Sequence, residues 1–380
     1  DALLVSNYNS LGARPHLPAG VKVVAIHANN DVLFRSSMPV STWRECTDGA
    51  SFDLEEVDGS HMYFLRPPTS FFRLLAARVV TLQPASNTVP REWSSGVFEL
   101  EEMRCGTDAV FTYPLGTSPR GALIYQDGCM AAHLYDPMRT VDFGSRLPTT
   151  EEIVAASRTF DSYFATYEFR DNVLQHHISN CSVPNVDGDT LTRFVHDYAP
   201  DGSGFSLHSA PQTANGRPEA FLSLRWARVA SSPLPNGAST LFGAYQLCSY
   251  TQRTSGHSDL AHPFGNSPVG QLLITAEGIM SFSIYAQGRP SFHLPDPNLA
   301  VDEELTDAWY TYNAHYGRFV TDDGENIKYS LIQSSSVPFV SVTDAQNMTA
   351  NVQSGGDRLE LKWVHDDREI CQEWKRRLKD

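Results

Sequence analysis

The sequence lacks the devices by which most enzymes of its length announce themselves. Its 380 residues contain no GxSxG, Walker, GxGxxG or HExxH motif, which removes the usual supports for serine-hydrolase, nucleotide-binding and zincin chemistry. Six cysteines, at 46, 105, 129, 181, 248 and 371, form no CxxC pair, so the common zinc spacings and the thioredoxin-type motif are missing as well. No apolar run has the length a membrane-spanning helix needs. Basic residues are the minority, 29 against 44 acidic, and the formal charge of −15 repels phosphate backbones and anionic lipid. No metal, cofactor or nucleic acid is expected.

What is present is a long internal repeat. PLGTSPRGALIYQDGCMAAHLYDPMR, from Pro114 to Arg139, returns as PFGNSPVGQLLITAEGIMSFSIYAQGR, from Pro263 to Arg289, with Gly121 and Gly270 149 positions apart and Met130 and Met280 150 apart. A period this long is a domain duplication. Each copy reads as two short strands around a turn, Asp127-Gly128 in the first and Glu277-Gly278 in the second, and therefore predicts a β-hairpin. The organisation expected is an N-terminal strand-rich segment (1–92) packing on the two later units, a first unit (93–230), a Pro/Gly/Ser linker (231–239) and a second unit (240–380). Within 1–92 the runs Val21 to Ile26, Asp31 to Arg35 and His61 to Leu65 are strand-like, and Tyr63 to Val80 reads as an arm across the units or as a lid over a ligand mouth.

Along the first unit, Thr149 to Phe164 predicts a helix, with a threonine N-cap, acids in the first turn and Ile153, Ala156 and Phe160 at helical spacing. Strands follow near 165–169, 173–179, 191–196 and 221–228, and the stretch from Asp197 to Arg217 reads as a long loop that the second unit lacks. The second unit repeats the plan, with a helix from Asp302 to Tyr312 and strands near 316–320, 327–333, 345–352 and 359–364. The tail from Asp366, with Trp374 and Leu378 four apart, predicts a short amphipathic helix. Many short strands, one helix per unit and abundant turn residues give the fold class: mainly β, two tandem antiparallel barrels, each with room for one small ligand.

Four histidines of the first unit, His133, His176, His177 and His196, fall on strands. Adjacent His176 and His177 must face opposite ways, and His177 is the one assigned to the barrel interior, for acid–base work or a ligand hydrogen bond; a backbone-satisfied histidine is the plainer alternative. His133, His177 and His196 together are a weak three-histidine metal possibility without carboxylate support. Arg139 and Arg289 recur just after the second hairpin strand, where pairing with Glu151-Glu152 or Glu303-Glu304 would cap each barrel. Tyr163 with Tyr167, and Tyr312 with Tyr316, stand four apart at a helix end, as core contacts or as catalytic phenols. The sequons at Asn180 and Asn347 permit glycosylation, the even cysteine count permits disulfides, and the start at Asp1 fits a processed chain; a secretory compartment is the expectation.

The order of an opening strand, P-[LF]-G-x-S-P-x-G-x-L, a turn glycine, Met, Arg, Glu-Glu, tyrosines four apart and then SVP resembles the lipocalin-like domain of bacterial and fungal proteins, over about Ser94 to Ala230 and Ser239 to His365. Gly121, Met130, Arg139, Glu151, Glu152, Tyr163, Tyr167, Pro184 and Arg193 carry the pattern in the first copy, with His177 at its histidine. The second copy has Gly270, Met280, Arg289, Glu303, Glu304, Tyr312, Tyr316 and Pro338, but Leu331 and Asn347 stand roughly where the histidine and the later arginine would be. Tandem chains of this kind are similar to proteins of fungal natural-product pathways, among them the hetero-Diels–Alderases of tropolonic sesquiterpenoid biosynthesis. The resemblance implies a cofactor-free pericyclase that joins a tropolone quinone methide to a humulene-type alkene. His177, Arg193, Tyr163 and Tyr167 would be its donors, and Tyr125, Tyr135, Phe194, His133 and Arg139 its substrate contacts. A carrier of hydrophobic small molecules, or another cyclase or isomerase, is the alternative.

Overall fold

Each copy of the repeated motif folds as the hairpin that its alternation and turn residues demand, in a computed structural model that describes residues 23–28, 52–57, 95–106, 111–137, 148–170, 172–209, 221–230, 236–294, 297–335, 346–353, 356–365 and 367–377. The chain forms two units, 1–88 and 89–380. In the first, β1 (Val23–Ala28) and β2 (Phe52–Val57) pair in parallel. The runs at 31–35 and 61–65 and the arm at 63–80 lie outside the described residues.

The second unit holds two closed antiparallel barrels. The first comprises β3 (Gly96–Gly106), β4 (Phe111–Thr112), β5 (Arg120–Gln126), β6 (Cys129–Tyr135), α1 (Thr150–Arg158), β7 (Phe160–Arg170), β8 (Val173–Cys181), β9 (Thr190–His196), β10 (Gly204–Ser209) and β11 (Phe221–Arg228). Pairing of β11 with β3 closes it, and β4 is a two-residue appendage on β3. The second comprises β12 (Gly243–Thr254), β13 (Leu260–Ala261), β14 (Val269–Ile274), β15 (Ile279–Tyr285), α2 (Asp302–Tyr310), β16 (Tyr312–Val320), β17 (Asn326–Ser334), β18 (Gln346–Gln353), β19 (Arg358–His365) and β20 (Arg368–Arg376), closed by β12 against β20.

Three expectations fail here, each for a local reason. Both helices stop early because a threonine hydroxyl takes their last carbonyls: Thr159 donates to Ala155 and Ala156, Thr311 to Asp307 and Ala308. The helix spacing of Phe160 was accidental, and the aromatic, alternating run that starts there is β7. The tail is β20, not a helix: Ile370, Gln372 and Trp374 are buried at every second position, a period of two that outweighs the four-residue spacing of Trp374 and Leu378. The supposed loop at 197–217 contains β10, which lies between β9 and β11 as β19 lies between β18 and β20. At the N-termini, the Thr149 hydroxyl accepts from Glu152 N while the Glu152 carboxylate accepts from Thr149 N, so the threonine N-cap is completed as a capping box. Val301 offers no such oxygen, and only Glu304 makes its half of the exchange.

The barrels pack wall to wall. On β6, Met130, Ala132 and Leu134 face the interior of barrel 1, whereas Cys129 and Ala131 join Ile124, Phe164, Leu273, Ile279 and Tyr316 in a core shared by both barrels. These strands are buried on both faces, which is why GALIY and IMSFSIY read as nearly continuous apolar runs. Polar ties cross the wall: Gln271 Nε2 donates to Met130 O at 2.8 Å, and His133 Nε2 meets Ser281 Oγ at 2.8 Å. One end of each barrel is stopped by an arginine over an aromatic ring, Arg228 at 4.6 Å from the Phe98 centroid and Arg376 at 4.9 Å from that of Tyr245. Both arginines also donate to backbone carbonyls there, Arg228 to Ser95 and Gly202, Arg376 to Phe242, Thr240 and Gly356.

The repeated glycine of the motif has a steric cause. A Cβ on Gly121 would come closer than 3.0 Å to the His133 carbonyl oxygen, and one on Gly270 would lie 2.8 Å from that of Ser283, so neither strand of the hairpin tolerates a side chain at this crossing. Gly121→Ala and Gly270→Ala are each expected to cost about 1–3 kcal/mol, read as a lower midpoint in urea unfolding. Unchanged midpoints would show that the hairpin shifts freely.

Candidate functional site

Barrel 1 gathers the polar side chains that matter on its inner wall. β8 sends Leu174, His176 and Ile178 inward, all buried, and β7 sends Tyr163 inward beside them. Tyr125, on β5, arrives from across the barrel. His176 is fully engaged: Tyr125 Oη lies 2.9 Å from Nε2 and Tyr163 Oη 3.0 Å from Nδ1. Tyr167 packs its ring 4.7 Å from that of Tyr125. On β9, Val195 is buried in the interior and Leu191 packs against it, so alternation sends Arg193, between them, to the same side. Arg193 is the cross-strand partner of Leu174, diagonal to His176.

The inward histidine is therefore His176, not His177. His177 faces out, with its side chain 39% exposed, Nδ1 3.0 Å from Thr190 Oγ1 and Nε2 3.8 Å from Glu168. The signal was in the sequence: Leu174 and Ile178 share parity with His176, and apolar neighbours two residues away mark the inner face. Tyr163, Tyr167, Tyr125 and Arg193 stand inside the barrel, although the two β7 tyrosines sit on a strand and not at a helix end. Tyr135 and His133 line the wall between the barrels instead of the lumen, Tyr135 with Phe160 and Tyr312 and His133 stacked 5.0 Å from Tyr316. Phe194 has the outward parity of β9, opposite His208. His133, His177 and His196 point to three different places, and no group of three His, Cys, Asp or Glu suited to a metal occurs among the described residues. Arg139 lies outside the described residues.

Arg289 does not pair with the helix acids. It crosses to barrel 1, 3.2 Å from Asp187 Oδ1, donates to Cys181 O, and lies 5.1 Å over the Tyr312 ring. Asn180 is buried and gives its amide to Asp187 at 2.6 Å, so the nitrogen that a glycan would need is engaged inside the fold; Asn347, on β18, is exposed. Cys105, Cys129, Cys181, Cys248 and Cys371 are all free thiols.

Ladder registers correct the alignment of the two copies. Tyr135 opposes Phe160 and Tyr285 opposes Tyr312, while Ala132 opposes Tyr163 and Phe282 opposes His315. Tyr312 is thus the counterpart of Phe160, and Tyr163 the counterpart of His315. Carrying the register onward makes Tyr329 the counterpart of His176, Ile274 that of Tyr125 and Met348 that of Arg193; Leu331 and Asn347 answer Ile178 and Thr192. In barrel 2, His315 Nδ1 meets Tyr329 Oη at 2.9 Å. The tyrosine–histidine bond is kept with its two residues exchanged, and the second phenol and the cation are replaced by Ile274 and Met348. Phe282, Tyr329 and Trp374 fill the space between.

Burial, and secondarily the charge of Arg193, holds the His176 imidazole neutral, its pKa lowered to about 3. Burial does the same to His133, with a smaller push from His315. The Tyr163 phenol is pushed up to about 12 by burial, against the pull of Arg193. Asp161, on the same face of β7, is raised by burial while the Ser182 hydroxyl and Arg193 draw it down.

Both barrels match one known family: residues 95–229 and 242–376 each fit the Lipocalin-like domain family. Among solved structures, a lipoprotein from Bacteroides thetaiotaomicron is similar at 13% identity and a TM-score of 0.26, over 50% of this chain and 90% of its own. A mutant of transferrin binding protein B from Haemophilus parasuis is similar at 9% and 0.21, over 71% of this chain and 63% of its own. A protein of unknown function from Nostoc punctiforme is similar at 8% and 0.19, over 76% of this chain and 100% of its own. No curated protein matches.

Unfolded histidines titrate near pH 6.5, so between about pH 6.5 and 3 the unfolded chain binds protons that folded His133 and His176 refuse. Stability from these two is complete above that window and falls on acidification, by a slope approaching about 1.4 kcal/mol per pH unit for each. Asp161 and Asp187, both raised by burial, oppose the loss at its acid end. Urea unfolding at pH 7, 6 and 5 is expected to show declining stability, with His133→Gln showing a shallower decline than the wild type. Parallel pH profiles would contradict the assignment of His133 as a buried neutral base.

Proposed function

Since this chain belongs to the Lipocalin-like domain family in both of its barrels, we propose that barrel 1 takes a hydrophobic small molecule into its lumen and acts on it without a cofactor. The observation that carries this reading is the Tyr125–His176–Tyr163 chain with Arg193 beside it and Asp161 nearby, in a barrel lined for the rest mainly by apolar side chains whose twin lacks the cation and one phenol. A neutral imidazole held between two phenols orients them so that one, Tyr163, can donate onward, and Arg193 supplies a fixed positive charge. Such donors, aimed where negative charge develops, lower a barrier without transferring electrons.

The reaction proposed is a cycloaddition of the hetero-Diels–Alder type, of the kind found in fungal natural-product pathways, between a tropolone quinone methide and a humulene-type alkene. Holding the two reactants face to face inside an apolar lumen lowers the barrier by up to several kcal/mol, and a donor on the tropolone oxygen makes the heterodiene more electron-poor. A carrier is the second reading, favoured by the apolar residues that dominate the interior, among them Phe98, Leu123, Phe205 and Leu207.

Incubation of the protein with a quinone-methide precursor and the alkene, with adduct yield and stereochemistry followed by chiral chromatography, separates the two. A catalyst raises the rate and fixes one stereoisomer, and Arg193→Met, which installs the residue barrel 2 carries, is expected to cut that rate about 10²–10³-fold. Tyr163→Phe should act in the same direction. Binding of the reactants with an unaltered rate and product mixture would leave only the carrier.

A further inference from the structure

Counting protons in the barrel 1 lumen narrows the class of ligand. A neutral imidazole has one N–H and one lone pair, so His176 accepts from one phenol and donates to the other. Tyr125 is fully buried, whereas Tyr163 is 8% exposed. Were Tyr125 the acceptor, its own O–H would be left in the core with no partner, at a cost of about 1–3 kcal/mol. Tyr125 therefore donates to Nε2, the Nδ1–H donates to Tyr163, and the Tyr163 O–H remains to be directed elsewhere. Among the described residues His176 Nδ1 is the hydrogen-bond partner of Tyr163 Oη, and no acceptor takes that last proton.

Arg193 is in a similar position. Its guanidinium donates to Thr192 O at 3.2 Å, and among the described residues no carboxylate stands within ion-pair distance of it. Asp161 is the acid whose field it shares, but the two form no ion pair; Asp161 Oδ1 accepts instead from the Ser182 hydroxyl at 2.7 Å. Arg193 is half-buried, and a partly desolvated cation beside apolar side chains gains from an anion that joins it.

We propose that the barrel 1 lumen holds its ligand by an anionic oxygen on a hydrophobic body, the chemistry shared by enolates, phenolates and carboxylates, seated between the Arg193 guanidinium and the free Tyr163 O–H. His176 is a positioning residue: with Tyr125 behind it, it occupies the Tyr163 lone pair and so turns the remaining hydroxyl proton toward the ligand. The inference rests on barrel 1 being the ligand site and adds the charge of what it holds. Barrel 2, with Met348 and Ile274 in place of Arg193 and Tyr125, should show no such preference.

Two probe pairs test this by calorimetry at pH 8: 2-naphthoate against its methyl ester, and 4-nitrophenolate against 4-nitroanisole. In wild-type protein each anion is expected to bind at least about tenfold more tightly than its neutral partner, as hydrogen bonds to a charged group imply. Arg193→Met should remove most of that preference and Tyr163→Phe a smaller share of it, with far-ultraviolet circular dichroism reporting an intact fold. His176→Phe should erase the Tyr163 share of the preference, a selectivity readout that a merely structural residue would not move. A preference for naphthoate alone would assign a carboxylate, and for nitrophenolate alone a phenolate or enolate, each in keeping with the proposal. Equal binding within both pairs, or a preference that survives Arg193→Met, overturns it and leaves the ligand-site reading standing. Failure of all four probes to bind removes that reading and the present inference together.

Discussion

A β-strand sends successive side chains to opposite faces, and in this molecule both faces of the strands between the barrels are buried. Everything else depends on that double burial. On β6 one parity fills barrel 1 and the other presses against barrel 2; on β15 the arrangement is mirrored. A slip of one residue would empty both environments at once. Register is therefore fixed more firmly here than in a sheet with one wet face, and the hairpin glycines Gly121 and Gly270 fall where the neighbouring strand leaves no space for a side chain.

The duplicated barrels act as controls for each other. Their closed ends are nearly identical, with an arginine over an aromatic ring and a buried tryptophan, Trp226 or Trp374, on the closing strand. Their inner walls have diverged. The tyrosine–histidine bond survives in both with its residues exchanged, so that bond alone satisfies a structural need: a buried imidazole must have partners. What barrel 1 adds, Arg193 and Tyr125, is not needed to build a barrel, because barrel 2 is built without them. Function is therefore to be sought in the difference between the barrels rather than in what they share.

Much of the fold could be read from the sequence because its signals are local. The hairpins, a threonine N-cap on the first helix and most strands follow from alternation, spacing and turn chemistry. Failures came where two periodicities competed within a few residues. Trp374 and Leu378 suggested a helix, yet Ile370, Gln372 and Trp374 alternate; Phe160 continued a helical spacing while also opening the alternation of β7. The site was harder, because parity on a strand is a binary choice settled by neighbours. Leu174 and Ile178 favoured His176, and the motif's histidine position favoured His177. The pairing of Tyr163 with Tyr312 failed because an identical residue type is weaker information than ladder register, and register is not written in one sequence.

Barrel 2 also contributes to the lumen of barrel 1 by splinting the strand that carries Tyr163. Tyr312 donates to Ser162 O and accepts from Ser162 Oγ at 2.7 Å, one residue before Tyr163. Arg289 holds Cys181 O, directly across the ladder from Tyr163, and the side chain of Asn185 brackets Phe292, accepting from its N–H and donating to its carbonyl. A phenol whose remaining proton must be aimed to within a few tenths of an ångström needs a backbone that does not drift. Within barrel 1 that support comes from the neighbouring strands β6 and β8 and from Ser182, which bonds to Ser162 and Asp161. With the second barrel against its outer face, β7 is held from both sides, and a lumen site with a defined proton direction becomes affordable in a fold whose walls would otherwise be free to breathe.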